Sequence, residues 1–265
     1  MLAGLSPARR RVVRTVVALG VVAAAVLATV LLARPGSPAA GPVDQDRPGP
    51  VLLVPGYGGG TGSLQPLADS LTARGRDATV VDLPGDGTGD LAESADALDA
   101  AVTAALARTG EETVDLVGYS AGGVVARLWV ADGHAAVTRR VVTLGTPHHG
   151  TSLADLAGSL APGQCPVGCR QLATGSDLLA RLNAGDETPE GPTWVSIWTT
   201  QDQTVTPPDS ARLDGALNLT VQSVCAGAEV GHGELPRFAV PLVLAQLGAG
   251  DPVEPGPGDC AGVGG

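Results

Sequence analysis

Val114-Asp115-Leu116-Val117-Gly118-Tyr119-Ser120-Ala121-Gly122-Gly123-Val124-Val125-Ala126-Arg127-Leu128-Trp129 reads as a strand, a tight turn and a helix. The apolar run 114–117 enters the turn, and the stretch after Gly122 has helical spacing. Strand, G-x-S-x-G, helix is the context of a nucleophile elbow, in which Ser120 is held with its hydroxyl outward. Bulk is unwelcome on either side, because strand and helix backbones must pass closely at Gly118 and Gly122. The helix N-terminus behind the serine favours developing negative charge. The bland alternative is a glycine-rich turn with an incidental serine.

Outward from that turn, short apolar runs alternate with helical patterns. Strands are expected at 51–54, 78–83, 113–117, 140–144, 194–199 and 217–221, and helices at 64–74, 91–106, 123–131, 176–182 and 236–247. That alternation predicts an α/β fold, about six mainly parallel strands with helices on both faces. The chain has 265 residues, room for one sizeable domain, expected over 50–248. Residues 151–192 are long for one crossover. They read either as a small cap over the catalytic end of the sheet or as a stapled surface loop with an ordinary helix. Residues 249–265 are a Pro/Gly-rich tail expected to be flexible apart from Cys260.

Thr15 to Ala33 carries no charge and would span about 28 Å as a helix, close to the hydrocarbon thickness. Arg9, Arg10, Arg11 and Arg14 precede it, which orients the N-terminus to the cytoplasm and exports the rest of the chain. Residues 1–34 are therefore a signal anchor or a signal peptide, and the mass of the exported protein distinguishes the two. Residues 35–49, rich in Pro, Gly and Ala, serve as a linker. The expected location is the extracellular side, membrane-anchored if the segment stays uncleaved and secreted otherwise.

All sixteen basic residues are Arg. From Gly41 onward eleven Arg face 27 Asp and Glu, a balance of −16, which argues against nucleic acid as a partner. Four cysteines in an exported chain suggest two disulfides. Sequence does not fix connectivity; the expected pairs are Cys165–Cys169 and Cys225–Cys260, the second pinning the tail. A metal site is not expected, since no paired C-x-x-C and no histidine ligand set accompany these cysteines. Gly58-Gly59-Gly60 is no phosphate loop, because no Lys follows it.

A serine hydroxyl needs a base, and the base an orienting acid. Only four histidines are available: His134, His148, His149 and His232. In the order nucleophile, acid, base, His134 reads as a solvated turn residue and His148 and His149 come too early. His232, in Val230-Gly231-His232-Gly233, follows the last strand and is the expected base. Asp202 directly succeeds the 194–199 strand and is the expected acid, ahead of Asp177, Asp186, Asp209 and Asp214. The backbone N–H groups of Tyr57 and Ala121 are the expected oxyanion donors. Asn218-Leu219-Thr220 is a formal glycosylation sequon.

With these residues placed, the chain resembles the small bacterial α/β-hydrolase lipases, the class 2 group of minimal triacylglycerol lipases and their actinomycete relatives. The likeness rests on Val54-Pro55-Gly56-Tyr57, Gly118–Gly123, Thr143-Leu144-Gly145-Thr146-Pro147-His148-His149-Gly150-Thr151, Asp202-Gln203-Thr204-Val205, Ser210–Asn218 and Val230-Gly231-His232. It implies the minimal α/β-hydrolase fold, the triad Ser120, Asp202 and His232, no cofactor, and fatty acyl esters or lipids as substrates. Two departures stand out: Pro55 replaces the His of many relatives, and the Cys-containing 151–192 segment exceeds the smallest members. No Asp pair matches the calcium-binding lipases. An acyltransferase or thioesterase on the same triad, and a non-catalytic surface protein of the same fold, are the alternatives. A monomer is expected.

Overall fold

The computed structural model describes residue 20 and residues 41–262. The apolar segment Thr15–Ala33 lies outside the described residues apart from Gly20, as do residues 35–40 of the linker and the last three residues. Among the described residues no helix is long and apolar enough to cross a membrane.

Six strands form one sheet: β1 Val51–Val54, β2 Ala78–Val80, β3 Val114–Tyr119, β4 Thr138–Leu144, β5 Thr193–Trp198 and β6 Leu217–Thr220. Their order is β2-β1-β3-β4-β5-β6 and every pairing is parallel. The expected sheet is thus present, and it is wholly rather than mainly parallel.

Alternate residues of the four central strands, β1, β3, β4 and β5, feed two separate cores. Leu52, Val54, Leu116 and Val141 pack with helices α2 Leu91–Thr109 and α3 Ala121–Trp129. Val51, Leu53, Val117, Val142 and Ile197 pack on the other face with α1 Gln65–Thr72 and the C-terminal helices. Burial of both faces is why the strands read as apolar runs rather than as alternations.

The sequence-predicted boundaries shift where local chemistry intervenes. β6 stops at Thr220 because that side chain caps α7 Val221–Val224, accepting from Ser223 N at 3.0 Å. The single helix expected at 236–247 is two, α8 Leu235–Phe238 and α9 Val240–Gln246. Pro241 cannot donate a helical hydrogen bond, so it sits in the first turn of a new helix. Between β4 and β5 lie α4 Ser152–Leu160, a 3-10 turn Pro162–Gln164, α5 Val167–Gln171 and α6 Asp177–Leu182.

Both expected disulfides form, Cys165–Cys169 and Cys225–Cys260. The second joins α7 to the tail, and Gln246 exchanges two hydrogen bonds with Val253 at 2.8 and 3.0 Å. The sequon asparagine is occupied internally. Asn218 donates to the carbonyls of Leu213 and Ala216 and accepts from Leu213 N, so its amide braces the turn before β6.

Candidate active site

The elbow is built as its glycines imply. Ser120 has φ 53° and ψ −126°, the sole non-glycine residue with positive φ among the described residues. Such a backbone costs on the order of 1–3 kcal/mol and persists only where its surroundings fix it. Ser120 N donates to Leu144 O at 2.8 Å, and Gly123 N donates to Ser120 O at 3.0 Å. A methyl on Gly118 would strike the Gly123 backbone, one on Gly122 the carbonyls of Val54 and Pro55, and one on Gly123 the Thr146 side chain. Gly118 and Gly122 are small because backbones converge there, and Gly123 because the Thr146 side chain packs on it.

At the carboxyl end of β5, Asp202 is 4% exposed. Its Oδ1 accepts from Thr204 N at 2.8 Å and Val205 N at 2.9 Å, which leaves Oδ2 aimed at His232 Nδ1, 2.6 Å away. His232 Nε2 lies 3.0 Å from Ser120 Oγ. The loop joining α7 and α8 thus delivers the imidazole between carboxylate and hydroxyl. With Nδ1 facing a carboxylate, the ring proton belongs on Nδ1, and bare Nε2 can accept from the serine.

Two residues that the sequence reading did not single out fix this geometry. Tyr119 donates its hydroxyl to His232 O at 3.1 Å and lays its ring 5.1 Å from the imidazole. Burial, helped by the charges of Asp202 and Glu234, pushes its pKa up to about 12, so it remains a donor. Gly145, at φ 54°, ends β4 directly beneath the pair. A Cβ there would sit 3.2 Å from His232 Nδ1 and 3.3 Å from Asp202 Oδ2. Tyr119 occupies the variable position of the G-x-S-x-G pattern, and Gly145 follows an apolar strand. Neither place carries a signal in one sequence.

The other histidines are accounted for. His134 is no plain solvated turn residue: its ring stacks on Trp129 at 4.3 Å and its Nδ1 is 2.8 Å from Trp129 O. His149 pairs with Glu187 at 2.9 Å. His148 is completely buried. Among the described residues no group of three or more His, Cys, Asp or Glu could hold a metal ion.

Beside Ser120 opens a cleft of about 260 Å³, lined by Tyr57, Pro147, Leu153, Ala157, Cys169 and Leu172 among others. Four of these belong to the 151–192 segment, which forms one wall. That wall is tied down. Gly168 N donates to Thr88 O at 3.1 Å, Gln171 bonds Leu91 N and Asp90, and Asp155 accepts from Thr174 N and Oγ1. On the opposite side Gly56 passes so near Ser120 that a Cβ would lie 3.0 Å from the serine Cβ. The next residue is Tyr57. Neither its N–H nor that of Ala121 donates to an acceptor among the described residues.

Comparison with known proteins agrees with this architecture. The family model described as alpha/beta hydrolase fold matches residues 49–164, from β1 through the elbow to the cleft wall. No curated protein matches the chain. Among solved structures, lipase B of Aspergillus fumigatus superposes with TM-score 0.64 at 20% identity, covering 81% of this chain and 56% of that one. The mature form of the Bacillus licheniformis lipase BlEst2 gives 0.60 at 23%, covering 80% and 96%. Its propeptide form gives 0.63 at 22%, covering 83% and 56%. The chain thus spans little over half of the fungal lipase and of the propeptide form, but nearly all of the mature one. It has the α/β-hydrolase fold and is distantly similar in structure to these bacterial and fungal lipases.

Proposed function

We propose that the protein is a serine esterase of lipase type, hydrolysing carboxylic acyl esters through an acyl-enzyme. The observation that carries this is the continuous chain from Asp202 through His232 to Ser120, at 2.6 and 3.0 Å, on a strained elbow beside an apolar cleft. Ser120 Oγ attacks the ester carbonyl while His232 Nε2 takes its proton. Asp202 stabilises the imidazolium, which then protonates the leaving alcohol. The N–H groups of Tyr57 and Ala121 receive the oxyanion. Water, activated by the same histidine, releases the acid. The apolar cleft suits the acyl chain, and the likeness to small bacterial lipases agrees with that assignment.

The test is Ser120→Ala assayed on p-nitrophenyl esters. The rate constant kcat should fall on the order of 10⁶-fold, as in other enzymes whose triad acts as a unit. A fluorophosphonate should label the wild type and leave the variant unlabelled. Unchanged turnover in Ser120→Ala would remove the assignment.

A further inference from the structure

His148 plays no part in that reaction, yet it is fully buried, and its surroundings specify its protonation. Its Nε2 lies 3.1 Å from Thr143 Oγ1; Thr143 Oγ1 donates to Ser196 Oγ at 3.1 Å, and Ser196 Oγ donates to Ala211 O at 2.6 Å. A hydroxyl has one hydrogen. That of Ser196 goes to the carbonyl, so that of Thr143 goes to Ser196, and Thr143 can only accept from the imidazole. His148 is therefore the Nε2–H tautomer. Burial and the nearby Arg127 charge hold it neutral, well below the ordinary histidine range. Its Nδ1 has no partner among the described residues. An unpartnered buried acceptor costs about 1–3 kcal/mol. Filling space alone would favour a hydrocarbon side chain, so the Nε2–H is what the site needs.

The bond it makes closes a short loop. The imidazole folds back onto Thr143, and His148 N donates to Thr146 O at 2.9 Å. From outside, Asn183 Nδ2 donates to His148 O at 2.9 Å. Within that loop lie Leu144 and Gly145. Leu144 O receives Ser120 N–H, and Gly145 leaves the space in which a Cβ would meet Asp202 Oδ2 and His232 Nδ1. Ser120 thus bonds the segment that His148 closes, and Asp202 and His232 border it at Gly145. The relay continues across β5 to Ala211, in the connection that follows Asp202.

We propose that His148 is a positioning residue, whose Nε2–H bond to Thr143 holds Leu144 and Gly145 where serine, carboxylate and imidazole meet. This rests on the esterase reading of the triad. It acts through backbone placement and touches no substrate.

The test compares His148→Gln, His148→Asn and His148→Leu. A glutamine amide N–H can occupy the place of Nε2, whereas asparagine reaches only that of Nδ1. Turnover of a short-chain p-nitrophenyl ester should fall about tenfold to a hundredfold in His148→Asn and His148→Leu, the scale set by small misplacements of reacting groups. It should return to within about threefold of wild type in His148→Gln, with KM little changed throughout. Thermal unfolding checks that each variant is folded, and fluorophosphonate labelling rates should follow kcat. Equal kcat in the Asn and Gln variants, wild-type kcat in His148→Leu, or a change confined to KM would overturn the proposal. A wild type that neither turns over esters nor labels at Ser120 would overturn the esterase reading, and this proposal with it. An active, labelled wild type with any of the three results above sinks only the role of His148.

Discussion

Two buried carboxylates sit at opposite ends of the same sheet, and they do different work. Asp115, in β3, has no exposed surface. It accepts from Arg139 Nε and Nη2 at 2.7 Å each and from Arg76 Nη2 at 2.6 Å. The other Arg139 donors go to carbonyls of Gln45, Leu247 and Gly248, Arg76 also donates to those of Gly49 and Leu247, and Arg140 binds those of Gln246 and Gly250. This network ties the entry and exit of the domain beneath the strands' amino ends. Asp202, at the carboxyl ends, is just as well hydrogen-bonded but faces a histidine. That ring leaves its second nitrogen for a serine. A buried charge whose partners are themselves tied to backbone carbonyls holds a fold. One whose partner keeps a titratable atom facing a cleft can move a proton.

The contrast can be broken or sharpened by substitution. Asp202→Asn keeps Oδ1 for Thr204 and Val205 but removes the acceptor for Nδ1–H. Turnover should drop about 10⁴-fold, as when the wrong tautomer is selected in a comparable triad, with the urea midpoint close to wild type. Asp115→Asn should do the reverse. It leaves Arg139 buried without its counter-charge, so unfolding free energy should fall by about 3–5 kcal/mol while kcat per folded molecule holds. If Asp115→Asn cost activity instead, or Asp202→Asn mainly stability, the division between the two ends would fail.

The smallest effect concerns pH. His148 is neutral when folded, while an unfolded histidine protonates near its ordinary value of 6.5. The unfolded state therefore binds the extra proton. The contribution of His148 is fully present above pH 6.5 and is lost as pH falls below it, by up to about 1.4 kcal/mol per pH unit. Chemical unfolding between pH 7 and 5 should show this extra slope in wild type and not in His148→Gln. Equal slopes would mean that His148 is protonated in the fold.

The legible parts of the site were those whose chemistry admits few residue types. A serine between small residues after an apolar run has one strong reading, and with four histidines in the chain, order alone isolated His232. Asp202 was legible because it directly follows a strand. What escaped was the supporting geometry. Gly145 matters through the space it leaves under the Asp202–His232 pair, and Tyr119 through a bond to a carbonyl 113 residues away. His148 read as a loop residue too early to be the base; nothing local says that it folds back onto Thr143.

Taken alone, the sequence determined the alternation of strand and helix, the identity and order of the candidate triad side chains, and the close passage of strand and helix at Gly118 and Gly122. These follow from periodicity and steric size, which act between near neighbours along the chain. Tertiary structure decided which nitrogen of each buried histidine bears the proton, which side chains brace the triad, and how the 151–192 segment walls the cleft. Those outcomes depend on hydrogen-bond partners brought together from distant strands, and a one-dimensional pattern carries no record of them.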